Sequence, residues 1–253
     1  MGKGSWSSTI TAGTPDNRRR LALLLGTVGV VAHNWWVVIY PLGWMPSWHA
    51  LISEAEASDQ PHSRLLSNID IVVGVLVMAG VLLVGREYRN RRGRVLWWLA
   101  LAWGLFGLLE GVFPLACSPS TNLVCEEAEW RFELAHHHYV HMGAGVLEYL
   151  SANLIAILAW RMRSLGWMSR FGKWMTLAMV VCYPFMGWTF FTHRWSTISE
   201  AIFFVMYSTT VGAVLWFRPR TGNGPSLLAN DAVGDSSLGD RRGNPVHHGA
   251  VEH

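Results

Sequence analysis

Charge is what this chain has least of. Only 15% of its 253 residues are Asp, Glu, Lys or Arg, against about 25% in an ordinary soluble domain, while 51% are hydrophobic and 15 are Trp. That balance excludes the usual soluble globular protein. The net charge of +3 is small, and the basic residues sit between apolar runs, so it reflects membrane topology and no nucleic-acid partner is expected. Repeats of useful length are missing. Ile52-Ser53-Glu54-Ala55 returns as Ile198-Ser199-Glu200-Ala201, yet four residues without flanking similarity read as coincidence and not as an inverted repeat. A G-x-S-x-G turn is missing too, so Ser53, with His49, Glu54 and His62 in its loop, has no fixed hydrolase geometry. Ser53 reads instead as the cap of a short re-entrant helix, with Glu56 at capping-box spacing.

What is present is six apolar stretches of bilayer-spanning length, near 21–40, 65–84, 95–116, 139–160, 174–191 and 198–217. The first carries His33, Asn34, Trp35 and Trp36 and lacks a small-residue cleavage site, so it reads as a retained helix and not a cleaved signal peptide. Arginines cluster at Arg18 to Arg20, Arg86 to Arg94, Arg161 to Arg170 and Arg218 to Arg220, always on the same side. By the positive-inside rule that side is cytoplasmic. The expected fold class is therefore all-α, a polytopic six-transmembrane-helix bundle over 21–217 in the cell membrane. Residues 1–20 and 218–253, poor in apolar side chains, are expected to be disordered cytoplasmic tails.

The acidic loop with Glu126, Glu127, Glu129 and Glu133 then faces outward. It also carries Cys117 and Cys125, which in an oxidising compartment are expected to form a disulfide. Cys182, alone in the fifth span, reads as a small buried hydrophobe. Trp44, Trp48, Trp97, Trp98, Trp160, Trp167, Trp174 and Trp195 lie at span ends as an aromatic belt, whereas Trp35, Trp36, Trp103 and Trp188 are expected in the interior.

Ionisable groups inside a span cost several kcal/mol unless paired or wetted, so they mark the bundle interior and often function. Here they fall only in the outer halves. His33, Asp70 and Glu110 lie about 8–10 Å deep and Glu148 about 14 Å, at 1.5 Å per residue. At 100° per residue His137, His141, Glu148 and Ser151 form one polar stripe on the fourth span. Two chemistries fit. His137 and His141, at i and i+4, could be half of a site for a divalent metal such as zinc, completed by Glu110, Asp70 or His62. Without a metal, Glu110, Glu148 and His141 could serve as catalytic acid, base or proton-relay groups. Ordinary hydrogen bonding between helices is the plainer alternative.

Several short motifs resemble a family. Ile52-Ser53-Glu54, then Pro61-His62-Ser63-Arg64, then a span opening at Asn68, is similar to a loop and helix of the bacterial integral membrane family called domain of unknown function 998. Gly107 to Pro114 and the His137 or His138 helix with Ala144 and Gly145 look like its third and fourth helices. That family is in turn distantly similar to the six-span DRAM and Sfk group. Glu56 and Ala57 depart from its usual Gly-Ala turn, and the Cys-containing loop is longer than typical. The resemblance implies fold and location and no activity.

The half-membrane depth of the polar stripe and its aromatic surroundings point to a pocket built from spans one to four. A lipid or isoprenoid-like amphiphile from the outer leaflet is the expected ligand, bound or modified there. The alternative is a non-enzymatic protein, either a small-solute or proton-coupled transporter or an accessory subunit. Polar groups in only one half of the spans weigh against a transporter.

Overall fold

The computed structural model describes residues 15–88 and 90–217. The expected tail at 218–253, and residues 1–14 of the other, lie outside these. Eight α-helices follow in order: α1 (Pro15–Ala32), α2 (Trp36–Ile39), α3 (Ser63–Val84), α4 (Arg91–Val112), α5 (Leu123–Trp130), α6 (His136–Arg161), α7 (Trp167–Thr192) and α8 (Ser196–Trp216). No strand occurs among the described residues. Among the described residues six helices are long and apolar enough to cross a membrane, with α1 and α2 together supplying the first. The all-α bundle read from the sequence is the observed one. α1 begins at Pro15 and not near 21, because a proline at the first position and Asp16 in the first turn start the helix early. Arg18, Arg19 and Arg20 therefore belong to the helix.

The helices meet through small residues, which let backbones approach where lipid provides no hydrophobic drive for association. A Cβ on Gly74 of α3 would stand 2.6 Å from the Gly104 carbonyl of α4, and one on Gly80 would stand 2.9 Å from the Ala22 carbonyl of α1. Gly172 of α7 meets the Ala156 carbonyl of α6 in the same way, at 2.6 Å. The centre belongs to α8. Its apolar stretch is 78% buried against 17% for α7, and Phe203, Tyr207, Val211, Val214 and Leu215 form its share of the core. One end of the bundle gathers the arginines, where Arg19 pairs with Glu87 and the Tyr88 hydroxyl donates to the Val214 carbonyl. The opposite end holds three loops, and the site is there.

Candidate functional site

Two glutamates tie these loops together. Glu200, in the first turns of α8, accepts from the Ile52 and Ser53 amides, from the Ser53 hydroxyl at 3.1 Å and from Tyr149 Oη at 3.2 Å. It thus receives the N-terminus of the 3₁₀ turn Ser53–Glu56. The capping box expected there does not form, because Ser53 turns to Glu200 and Glu56 is buried toward Asp70. Glu54 accepts from the Leu51 amide at 3.1 Å, the Ser120 amide at 2.9 Å and the hydroxyls of Ser118 and Ser120. Both carboxyl groups are met by several donors, which offsets the cost of taking them out of water. The two Ile-Ser-Glu-Ala segments are therefore direct partners, joined through Glu200.

The loop between α4 and α6 is closed by a Cys117–Cys125 disulfide with Cα atoms 6.1 Å apart, as its sequence implied. Asn122 caps α5 by accepting from the Val124 and Cys125 amides. His138 Nδ1 accepts from the Ala116 amide, so its Nε2 carries the hydrogen and donates to Glu129 at 3.2 Å. His193 lies 3.1 Å from Glu126 and 3.3 Å from the Ser120 hydroxyl. It occupies the turn from α7 to α8, with φ of 48°. Left-handed backbone in a non-glycine residue is strained and collects at functional sites.

The crossing of α4 and α6 is built differently. Glu110 of α4 faces the bare backbone of Gly145, and Glu148 of α6 faces that of Gly107. His141 is 4% exposed, Glu148 3%. His141 Nδ1 lies 3.1 Å from the Glu110 carbonyl, which can only accept, so Nδ1 is the donor. Its Nε2 stands 3.9 Å from Glu110 Oε2, too far for a hydrogen bond. Glu110 Oε1, Glu148 Oε1 and His141 Nε2 are all buried without a hydrogen-bond partner. Native structures leave few such atoms, and each calls for an explanation.

A cavity of about 470 Å³ opens beside them. Its polar wall comprises Glu54, Glu110, Glu126, Glu129, Glu200, His141, His193, Ser53, Ser120 and Tyr149. Met142, Val146, Met186, Phe190 and Phe191 make its apolar side. Val146, Phe191 and Trp130 line it and are also exposed on the outside of the bundle, at 66%, 74% and 62%. The cavity thus opens sideways between α6 and α7.

The sequence placed Glu110, His141 and Glu148 together, and the structure brings them together. It does not build the pocket from spans one to four, since α1 and α3 line none of the cavity and α7 and α8 replace them. His137 Nδ1 donates to the Pro114 carbonyl at 2.7 Å. His62 stacks on Trp44, and Asp70 accepts from Trp35 Nε1 at 2.7 Å. No group of three His, Cys, Asp or Glu placed to hold a metal ion occurs among the described residues. His33 is packed between Trp103 and Phe204. Burial pushes the Glu56 carboxyl well above the usual carboxylate range, and Asp70 beside it adds to the rise. Trp188, expected inside, is 48% exposed, and Cys182 is half-buried. Tyr149, Ser120, Glu126, Glu129 and His193 were not singled out as site residues, although the acidic loop and the His193 turn were visible at the correct end.

Residues 27–217 match the family described as "Protein of unknown function (DUF998)". No curated protein and no solved structure matches the chain.

Proposed function

This chain belongs to the DUF998 family, which brings no activity with it, and we propose from its own geometry that it binds a lipid or isoprenoid-like amphiphile in the cavity, as a multi-pass cell-membrane protein. The observation that carries this reading is the cavity itself, polar at one wall, apolar at the other and open sideways between two apolar helices. A ligand sliding in from the leaflet keeps its chain against Met142, Val146 and Phe190 and brings its head to Glu110 and His141. Exposed Leu123, Val124, Trp130 and Phe132 on and beside α5 fit an interfacial element resting at the mouth. By the positive-inside rule the arginine clusters support a cytoplasmic placement of the opposite end of the bundle. The cavity then faces the outer leaflet. Glu110 and His141 are the groups to act on a bound head, as acid or base, with Glu148 behind Glu110.

The test is complementation of a deletion strain. His141→Gln and Glu148→Gln should each abolish the deletion phenotype's rescue while the protein reaches the membrane at normal level. Full rescue by both variants would overturn the reading.

A further inference from the structure

We infer that the head accepted by this cavity is a protonated amine, so that the ligand is a long-chain alkylammonium amphiphile. The inference rests on the amphiphile reading above and adds the chemical class of the head. Of the groups on the polar wall, Glu54 and Glu200 are already saturated by amides and hydroxyls, whereas Glu110 Oε1 and His141 Nε2 have no partner. Both open groups are acceptors. Beside a cationic head Glu110 is a carboxylate that can only accept, and in the neutral ring His141 spends its hydrogen at Nδ1 on the Glu110 carbonyl, leaving Nε2 a lone pair. A ligand that satisfies them must therefore bring donors.

Charge narrows the class further. Glu54, Glu110, Glu126, Glu129 and Glu200 line the cavity, and among the described residues no lysine or arginine does. An anionic head finds no lysine or arginine on that wall to answer its charge, in a setting where the apolar wall weakens screening. A neutral sugar head supplies donors but leaves the negative field unanswered. A quaternary ammonium supplies charge but no N–H, and leaves both open acceptors buried and unpaired. A primary ammonium supplies both, and its chain has the Met142, Val146 and Phe190 wall to lie on.

The experiment uses four photoreactive probes with the same tetradecyl chain and different heads: a primary amine, a trimethylammonium, a glucoside and a sulfate. Each is cross-linked to the full-length protein in phosphatidylcholine nanodiscs, and labelled peptides are mapped by mass spectrometry. The amine should label peptides containing Met142, Val146 or Phe190 at least tenfold more than any other head, and Glu110→Gln should remove that preference while retaining protein level. Equal labelling of these peptides by the glucoside or the trimethylammonium probe would overturn the amine head and leave an amphiphile pocket standing. Absence of cavity labelling by all four would overturn the amphiphile reading, and this inference with it. Since His141→Phe could fold poorly, Glu110→Gln, which preserves shape, is the deciding variant.

Discussion

Glu148 lies against Gly107. A Cβ at that glycine would stand 3.3 Å from Glu148 Oε1, and one at Gly145 would stand 3.4 Å from Glu110 Oε2. The pattern is reciprocal, because α4 and α6 are antiparallel and each carries a glycine three residues before its glutamate: Gly107-Leu108-Leu109-Glu110 and Gly145-Val146-Leu147-Glu148. Each helix makes room for the other's carboxyl group. Gly107→Val should crowd Glu148 and cost about 1–3 kcal/mol, seen as a lower thermal midpoint in detergent. Gly143→Ala, with no atom within 4 Å of its added Cβ, should be neutral or stabilising by up to about 1 kcal/mol.

Glu54 joins two loops, so its loss should be felt more than that of a single hydroxyl. Glu54→Ala strands donors from Leu51, Ser118 and Ser120 and should destabilise by at least about 1–3 kcal/mol. Ser53→Ala removes one donor from a carboxylate that retains the Ile52 amide and Tyr149, and should cost about 1 kcal/mol. Thermal unfolding of the two variants side by side checks the order, and equal costs would contradict the loop junction.

Glu56 gives the stability a pH dependence of definite sign. Its carboxyl holds a proton more tightly folded than unfolded, because burial and Asp70 raise its pKa. The folded state therefore binds more protons, and its stability falls as pH rises from the ordinary glutamate value of about 4.3 toward the raised one. Below that window the contribution is fully present. Unfolding curves from pH 4 to 8 should slope downward, and Glu56→Gln should flatten them.

The Cys117–Cys125 link closes a loop with a sequence separation of 8, worth about 2–3 kcal/mol by loop entropy. Non-reduced peptide maps should show the pair joined. Reduction should lower the thermal midpoint and also weaken probe labelling of the cavity, since Ser120 lies inside the loop and Glu126 next to it. A lower midpoint with unchanged labelling would separate the loop from the mouth.

Orientation is open to direct measurement. In a chain without native cysteines, Leu123→Cys and Ser164→Cys occupy exposed positions at opposite ends of the bundle. An impermeant maleimide applied to intact cells should label only the first. Labelling of both, or of the second alone, would reverse the proposed placement of the cavity.

The spans were legible because each is a run of apolar residues long enough to be read locally. The shared face of His141 and Glu148 was legible because helical spacing fixes it, and Glu110 joined them by depth alone. The rest depends on contacts between distant segments. Ile52 meets Glu200 across 148 positions, and nothing local distinguishes that meeting from a chance recurrence of four letters. The same reason made α1 and α3 look like walls of the pocket: their polar groups lie at the right depth, but His33 is stacked between rings and Asp70 is held by Trp35. His137 sits one turn from His141, and the Pro114 carbonyl that holds its Nδ1 is a contact no spacing could reveal.

The burial of α8 at the centre imposes an order on assembly. The ribosome delivers five spans before it delivers the one around which they pack, so a groove must wait between α1, α6 and α7 for the last helix to enter. Until then the Ile52 and Ser53 amides lack the carboxylate of Glu200, and the cavity has no complete wall. A chain arrested before α8 would therefore lack both the centre of the bundle and the carboxylate that joins its loops.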